Sequence, residues 1–314
     1  MAASVRAVND GLDPALAAVI AAIPDWDGAE PDVTPITIGI TNRNFKVEIG
    51  GEWFVVRLSG KDTDLLGIDR AAENDAASAA AAAGVAPEVF AYLPELGALI
   101  TRFVQGGYVP EEDLQREGVL GAVVRSVKAI HSCPAIPSTF PVFRIVEEYR
   151  EIAVERGVAS PAAFDEVHAK AGDIEAAFSK QPLADRPCHN DLLNANFLLD
   201  GDHVWIVDYE YAGMGDLFFD LGNLSINNGL TGDAQELLLQ LYFGDVTDAQ
   251  RARLQLMRIM SDFREAMWGV VQQAISTLDF DYVDYADRHF TRCATIAAND
   301  RFGEWLRAAA SEPV

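Results

Sequence analysis

The sequence predicts an α+β protein with a small β-rich lobe followed by a larger, mainly helical lobe. Short apolar segments typical of strands dominate residues 30–104, and Gly50-Gly51 is a two-residue hairpin signal between two of them. Gln105-Gly106-Gly107 then breaks the pattern, and long segments with helical periodicity follow. The chain of 314 residues is long enough for both lobes. We therefore predict an N-lobe over residues 1–104 and a C-lobe over residues 105–314, joined at this hinge.

The N-lobe is predicted to contain one main helix among its strands. Asp69 is a suitable N-cap for a helix over Arg70–Ala83, and Gly84 is a suitable stop. A shorter helix at Asp13–Ile23 is expected to end at Pro24, because proline cannot continue a helix. The predicted strands are Ile36–Ile40, Phe45–Ile49, Glu52–Leu58, Val89–Tyr92 and Ala98–Phe103.

The C-lobe is predicted to contain a β-hairpin embedded among helices. A strand at Asn196–Leu199 leads into a tight turn at Gly201-Asp202, and a second strand at His203–Val207 returns antiparallel and ends at Asp208. The return brings Asp208 close to Asp191, which lies in the loop that enters the hairpin. The predicted helices are Glu111–His131, Val142–Arg156, Pro161–Ser179, Ala234–Tyr242, Asp248–Leu278 and Asp281–Phe302.

The hairpin carries the residues on which the prediction of function depends. His189-x-Asp191 is followed five residues later by Asn196, and Asp208 ends the returning strand. Phosphoryl transfer needs a carboxylate that meets the acceptor hydroxyl, together with oxygen ligands that hold Mg²⁺ against the nucleotide phosphates. The Asp-x4-Asn spacing is that of a kinase catalytic loop. Each piece alone also fits a chance match, a buried strand or a turn cap, so the prediction rests on the ordered set.

Longer segments around these residues resemble a known superfamily. HNDLLNANFLL (189–199) and IVDYEYAGMGDLFFDLGN (206–223) resemble the aminoglycoside phosphotransferase and choline kinase superfamily. The segments DYEY (208–211), DLGN (220–223) and FDYVDYADRHF (280–290) resemble its choline/ethanolamine kinase branch. The resemblance extends from about Ile38 to about Phe290. It implies a bilobal protein-kinase-like fold and transfer of the ATP γ-phosphoryl group to an alcohol, with Mg²⁺ as cofactor.

The resemblance also assigns roles to the residues of the hairpin region. It implies that Asp191 orients the acceptor hydroxyl and accepts its proton, while His189 positions the catalytic loop. Asn196 and Asp208 are the expected Mg²⁺ ligands, and Glu210 is expected to assist a second Mg²⁺. Asp220 resembles the acid that braces this loop.

Residues 39–44 form the candidate phosphate loop of the N-lobe. A tight turn between strands can direct backbone N–H groups and small polar side chains at phosphate oxygens, and Thr41, Asn42 and Asn44 are the side chains expected to do so. A plain hairpin turn is the alternative interpretation. At the other end of this lobe, Gln105 is expected to lie beside the adenine of the nucleotide.

Arg57 is a cation within an apolar strand and therefore needs partners. It shares a face with Trp53 and Val55 by the two-residue period of a strand. The resemblance pairs it with Glu73 on the following helix and implies that Arg57 holds the nucleotide phosphates. A structural ion pair without a ligand is the alternative.

The acceptor is expected at the helix around residues 262–277, which resembles the substrate helix of choline kinases. Those enzymes hold a quaternary ammonium group with aromatic rings and acids. Trp268 matches one of their tryptophans, but Glu265 stands where the eukaryotic members carry a second one, and Asn227 replaces a nearby acid. The residues predicted to bind the acceptor are Tyr211, Glu265, Trp268 and Gln272, with Tyr285 as a further aromatic candidate. Glu265, Trp268 and Gln272 share one face of the helix. Trp268 as a simple core residue is the alternative.

These patterns predict a kinase of a small, cationic alcohol, choline or ethanolamine first. A kinase of another small alcohol, such as thiamine, an aminoglycoside or a sugar, is the nearest alternative. A catalytically silent nucleotide-binding protein is the other, although silent relatives usually lose a base or a metal ligand and this chain keeps Asp191, Asn196 and Asp208.

Charge and cysteine content limit the partners and the compartment. The chain has 24 Lys and Arg against 48 Asp and Glu, a net charge of −24, which disfavours nucleic acid and membrane partners. The three cysteines, Cys133, Cys188 and Cys293, are odd in number and widely spaced, so neither a disulfide framework nor a zinc site is predicted. The N-terminus lacks the pattern of a secretory signal, and we expect a cytoplasmic protein. The sequence leaves the oligomeric state open.

Overall fold

The computed structural model describes residues 12–36, 42–60, 63–276 and 278–311. Its strands are β1 (Asp32–Ile36), β2 (Arg43–Ile49), β3 (Glu52–Leu58), β4 (Val89–Leu93), β5 (Ala98–Arg102), β6 (Gly107–Tyr108), β7 (Arg186–Cys188), β8 (Phe197–Asp200), β9 (His203–Ile206) and β10 (Gly213–Gly215). Its helices are α1 (Pro14–Ala22), α2 (Arg70–Ala82), α3 (Glu117–His131), α4 (Val142–Glu155), α5 (Phe164–Phe178), α6 (Leu217–Asn227), α7 (Gly232–Phe243), α8 (Asp248–Ile275), α9 (Tyr282–Ala297) and α10 (Phe302–Ser311).

An antiparallel sheet of five strands forms the N-terminal part, in the order β1-β2-β3-β5-β4. The β2–β3 hairpin turns at Gly50 and Gly51, whose φ angles of 63° and 81° lie in the left-handed region that glycine adopts without steric cost. One face of the sheet packs with α1 in a separate apolar cluster that includes Leu16, Phe54 and Ile100. The small sheet and the larger helical part confirm the predicted bilobal α+β class.

The predicted strand at Ile36–Ile40 lies outside the described residues except for Ile36, which is the last residue of β1. The strand of the structure is β1, Asp32–Ile36, and it pairs with β2 in a register that sets Asp32 opposite Glu48 and Ile36 opposite Asn44. Asp32 and Pro35 are poor strand formers, so the sequence pattern does not predict this edge strand. Residues 37–41, including Thr41 and the first half of the predicted phosphate loop, lie outside the described residues.

Helix α2 begins at Arg70 as predicted and ends at Ala82, one residue before the predicted end, and it contacts both β4 of the sheet and α3 of the C-terminal part. The Asp69 carboxylate accepts hydrogen bonds from the N–H groups of Ala71 and Ala72, and Gly84 follows the helix with a φ of 75°. The buried alanines of α2, Ala76, Ala77 and Ala80, belong to the large apolar core that the C-terminal helices share. The opening turn of α2, which carries Glu73, is thereby fixed near the junction of the two parts.

The helices of the C-terminal part differ from the prediction in three respects. The segment predicted as one helix, Glu111–His131, is divided into a short 3₁₀ helix at Glu111–Gln115 and α3. The division falls at Arg116, whose backbone is extended. The predicted helix Asp281–Phe302 is two helices, α9 and α10. Helix α6 was not predicted, since most of its residues are buried and it lacks an amphipathic stripe.

The predicted hairpin is confirmed as β8 and β9, which pair from Phe197 with Ile206 to Asp200 with His203. The segment after the hinge adds a third strand, β6, to this hairpin. Gly106 lies so close to it that an added Cβ would meet the Leu198 Cβ at 3.0 Å. A larger residue at this hinge position would therefore push the crossing segment away from the hairpin.

Helix α8 is the longest helix and forms the centre of the C-terminal part, where it packs against α4, α6, α9 and α10. Among the described residues, no helix combines the length and the apolar composition that crossing a membrane requires.

Candidate active site

A cavity of about 590 Å³ opens where the five-stranded sheet, the β8–β9 hairpin and α8 meet. Its volume is in the range of small-molecule sites. Most of the predicted site residues contribute to its walls: Asn42, Asn44, Arg57, Glu73, Asp191, Asn196, Asp208, Glu210, Tyr211, Glu265 and Trp268. Residues that are up to 226 positions apart, from Asn42 to Trp268, are thus brought to one cleft.

The loop that carries Asp191 is fixed from below by the buried carboxylate of Asp220. This carboxylate accepts hydrogen bonds from the backbone N–H groups of His189 and Asn190, at 2.9 and 2.7 Å, and lies 2.9 Å from His131 Nε2. These partners outweigh the effect of burial, so the pKa of Asp220 lies below its usual value. The bracing role that the resemblance assigned to Asp220 matches this geometry.

His131, Cys188 and Asp220 also place one possible metal-ligand atom each within 4.8 Å of one another. Both Asp220 oxygens already accept hydrogen bonds from protein donors. The cluster is therefore part of the brace beneath the loop and supports no metal assignment.

His189 holds the same loop through its side chain. Its Nε2 lies 3.0 Å from the carbonyl oxygen of Val207, and its Nδ1 accepts the backbone N–H of Asp191 at 3.3 Å. The ring is completely buried, and burial lowers the pKa of His189. Both ring nitrogens of His189 are thus engaged by backbone groups on either side of the loop.

Asp191 and Asn196 form a pair at the mouth of the hairpin. The Asn196 Nδ2 donates to the Asp191 carbonyl at 2.8 Å and to its carboxylate Oδ2 at 3.3 Å. Burial raises the pKa of Asp191 well above its usual value, and nearby Glu265, Asp208 and Glu210 raise it further, while Arg264 opposes them. A carboxylate with raised proton affinity is suited to accept a proton from an alcohol.

Asp208 connects the hairpin to the N-terminal sheet. Its φ of 68° is in the left-handed region, which aspartate tolerates better than most residues. The Asp208 Oδ1 lies 2.5 Å from Arg57 Nη1, and the other terminal nitrogen of Arg57 pairs with Glu73. The Arg57–Glu73 pair implied by the resemblance is thus present, and the direct contact of Arg57 with Asp208 is an additional finding.

Arg70 is a further cation that the sequence analysis missed; it does not line the cavity but contacts three residues that do, Asn42, Glu73 and Glu210. Its Nη1 lies 2.8 Å from Glu73 Oε2 and 3.3 Å from Glu210 Oε2, and its Nη2 lies 3.3 Å from Asn42 Oδ1. The spacing of Arg70 and Glu73 on one helix face was the signal in the sequence. The same spacing is common in exposed ion pairs of helices, so it does not by itself indicate a contact with the cleft.

The oxygen atoms of Asn196 and Asp208 fit the requirements of Mg²⁺. Magnesium prefers hard oxygen ligands and commonly takes one or two carboxylates, with substrate phosphates and water for the rest. The Asn196 Nδ2 is used by Asp191, so its Oδ1 remains to face an ion. Glu210 fits less directly, because its Oε2 already accepts from Asn42 Nδ2 at 2.8 Å and pairs with Arg70.

The opposite end of the cavity is lined by aromatic and charged residues of α8 and α9. Trp268 Nε1 donates to the Tyr211 hydroxyl at 2.9 Å, and the Tyr285 hydroxyl donates to Glu265 Oε2 at 2.8 Å. Arg264, which the sequence analysis missed, also lines this end, and its Nη1 donates to Glu265 Oε1 at 2.7 Å. These contacts outweigh burial and hold the pKa of Glu265 below its usual value.

Three predicted site residues that the structure describes do not line the cavity: His189, Gln105 and Gln272. Gln272 is buried one turn beyond Trp268 on α8, and Gln105 is exposed. The neighbours of Gln105 do line the cavity, among them Val104 and Gly106. The hinge segment therefore borders the cleft through its backbone and these neighbours.

Comparisons with known proteins agree with this architecture. Residues 32–256 match the model of the phosphotransferase enzyme family. Protein LicA of Haemophilus influenzae is 25% identical over 225 residues, which cover 69% of this chain and 65% of that protein. Ethanolamine kinase 2 of Rattus norvegicus is 26% identical over 317 residues, which cover 90% of this chain and 81% of that protein. A solved structure of a choline/ethanolamine kinase family protein from Mesorhizobium loti superposes with a TM-score of 0.80 at 31% identity, covering 94% of this chain and 98% of that chain.

The fold, the cleft and these matches define a phosphotransferase that acts on an alcohol group, and the chain belongs to the phosphotransferase enzyme family. Within that family it belongs to the choline/ethanolamine kinase branch.

Proposed function

We propose that this protein is an ATP- and Mg²⁺-dependent kinase of a small amino alcohol, with ethanolamine and choline as the first candidates. The carrying observation is that Asp191, Asn196 and Asp208 converge on one cavity with the Arg57–Glu73 pair. A base, two oxygen ligands and a phosphate-binding cation are the parts that phosphoryl transfer requires.

The nucleotide is expected at the end of the cavity beside the five-stranded sheet. Arg57 would bind the phosphates there, with Glu73 and Asp208 holding its guanidinium in place. Asn196 and Asp208 would hold Mg²⁺, which neutralises charge on the phosphate oxygens when bound. In this assignment the N-lobe binds the nucleotide, and the C-lobe supplies the catalytic residues and the acceptor pocket.

The acceptor alcohol is expected between Asp191 and the α8–α9 residues. Asp191 would accept a hydrogen bond from the hydroxyl, orient its oxygen toward the γ-phosphorus and take its proton during transfer. The oxygen forms the new bond to phosphorus as the bond to the β-phosphate bridging oxygen breaks, so that ADP leaves. The Asn196 amide and the His189 ring keep Asp191 in position for this step.

The acceptor is tested by a screen of ADP release. We expect Mg²⁺-dependent ADP formation above the acceptor-free rate with ethanolamine or choline. Activity only with thiamine, an aminoglycoside or a sugar would keep the kinase and replace its acceptor. ATP binding without turnover of any of them would instead indicate a silent nucleotide-binding protein.

Replacing Arg57 tests the nucleotide side. We expect Arg57→Ala to raise the KM for ATP more than the KM for the acceptor, because the phosphates lose their main protein cation. Arg57→Lys should be milder but not neutral, since an ammonium group cannot reproduce the guanidinium fork that meets Glu73 and Asp208. Steady-state kinetics with each substrate varied in turn would measure both constants.

A purely structural Arg57–Glu73 pair would give another result. It would leave the KM for ATP unchanged and lower only the melting temperature. Arg116→Ala is a suitable control, because Arg116 is exposed and pairs locally with Asp113.

The cytoplasmic location and the lack of nucleic acid partners remain predictions of the sequence.

A further inference from the structure

Arg264 places a permanent positive charge inside the acceptor end of the cavity. Its side chain is only 1% exposed, and its guanidinium carbon lies 4.1 Å from the centre of the Tyr211 ring. Its Nη1 donates to Glu265 and lies 4.0 Å from Asp191 Oδ1. Within the described part of the chain, its Nε and Nη2 have no hydrogen-bond partner. Buried polar groups are nearly always bonded, so this arrangement points to a role in the pocket.

Arg264 changes what Glu265 can offer to a ligand. The pair as a whole carries no net charge, so a ligand cation gains little from charge attraction alone. The hydrogen-bonding capacity of the carboxylate is not exhausted, however. A carboxylate has about four acceptor sites, and Glu265 uses one for Arg264 and one for the Tyr285 hydroxyl.

Arg264 also occupies an aromatic face. A quaternary ammonium group depends on such faces, because it has no N–H donors. The guanidinium stacked on Tyr211 already fills one of them, and it would repel a second cation placed nearby. Trp268 and Tyr285, with ring centres 5.5 Å apart, remain as aromatic walls.

We propose that the Arg264–Glu265 pair makes the pocket selective for alcohols whose ammonium group carries N–H donors, ethanolamine above all, and against quaternary ammonium alcohols such as choline. Primary ammonium groups can use the remaining acceptor sites of Glu265 directly. Trimethylammonium groups cannot use them, and they meet a neutralised carboxylate and an occupied aromatic face. This selectivity rests on the proposed amino-alcohol kinase function.

The first test is a methylation series with the parent enzyme. Ethanolamine, N-methylethanolamine, N,N-dimethylethanolamine and choline keep the charge while the N–H donors fall stepwise to none. We expect kcat/KM to decrease along the series, by roughly 10- to 100-fold overall, the range for losing a hydrogen bond to a charged group. Choline turned over as well as ethanolamine, or better, would overturn the selectivity.

The second test removes the built-in cation. In Arg264→Met, Glu265 regains its net charge and the Tyr211 face is opened, so the ethanolamine-to-choline ratio of kcat/KM should move toward choline by roughly 10-fold or more. Arg264→Lys keeps the charge and should keep most of the preference. If Arg264 only positions Asp191, Arg264→Met will lower kcat for every acceptor and leave the ratio unchanged, which would refute the proposal.

Arg253→Met is the matched control. Arg253 is also a fully buried arginine of α8 and stacks on an aromatic ring, with its guanidinium carbon 4.2 Å from the Phe178 ring centre, but it does not line this cavity. Its loss should reduce thermal stability while the acceptor ratio stays that of the parent. A shifted ratio in this control would show that general loosening of α8, and not the pocket charge, sets the preference.

Inhibition by unreactive cations covers the case of a poorly folding variant. Ethylammonium and tetramethylammonium lack the hydroxyl, so their binding does not depend on phosphoryl transfer. We expect both cations to compete with the acceptor, and we expect ethylammonium to inhibit the parent enzyme more strongly than tetramethylammonium. Stronger inhibition by tetramethylammonium would overturn the proposal. Turnover of none of the four amino alcohols would remove the proposed function and this inference together, whereas turnover of all at equal rates would remove the inference alone.

Discussion

Asp191→Asn is expected to lower kcat by roughly 10²–10⁴, the usual effect of losing a positioned general base. Asparagine keeps the size of the side chain and can still contact Asn196, but its amide cannot take the proton of the acceptor hydroxyl. The raised pKa of Asp191, caused first by burial, strengthens this expectation, because a carboxylate with high proton affinity is a better base. ATP affinity should change little, since Asp191 is not assigned to the nucleotide.

Single-turnover kinetics together with calorimetric ATP titration would separate these two effects. Asp200→Asn is a suitable control, because Asp200 is an exposed carboxylate of the same hairpin. Near-normal turnover in Asp191→Asn would show that the base is assigned wrongly. A loss of ATP binding would instead indicate that the substitution disturbs the whole cleft.

Asp208→Ala is expected to abolish Mg²⁺-dependent turnover. The variant would lose the carboxylate proposed to hold Mg²⁺ together with Asn196, and Mg²⁺ binds few protein carboxylates. It would also break the contact between the hairpin and Arg57, so the phosphate-binding cation would lose one of its two anchors. Both losses act on the phosphate end of the cleft, which is why we expect a larger effect than for Arg57→Ala.

A magnesium titration of the variant provides the measurement. Asp202→Ala is the matched control, an exposed aspartate in the turn of the same hairpin. If a modest excess of Mg²⁺ restores activity to Asp208→Ala, Asp208 is a structural cap at the end of the strand. If the loss of activity is accompanied by a large fall in the melting temperature, the contact with Arg57 is the main role of Asp208.

Local spacing was sufficient to predict the catalytic hairpin. Asp191, Asn196 and Asp208 lie within 18 residues of one another, and a two-strand hairpin with a glycine turn leaves few ways to arrange them. The capping signals of α2 were local as well, and the structure confirms them at Asp69 and Gly84. The sequence did not predict α6, because nearly all of its residues are buried and no polar face alternates with an apolar one. It did not predict β1 either, because pairing with β2 makes a strand of residues whose own strand propensity is weak.

The sequence by itself determined the bilobal α+β class and the hairpin, and its family resemblance implied the Arg57–Glu73 pair that the structure contains. Only the tertiary structure showed that Arg70 joins that network and that Arg264 lies against Tyr211 and Glu265 in the acceptor pocket. Both arginines depend on contacts between segments distant along the chain: Arg70 meets Glu210 and Arg264 meets Tyr211. Such contacts leave no periodicity or spacing in the sequence, because they form only when packing of α2 and α8 against the hairpin region brings these side chains together.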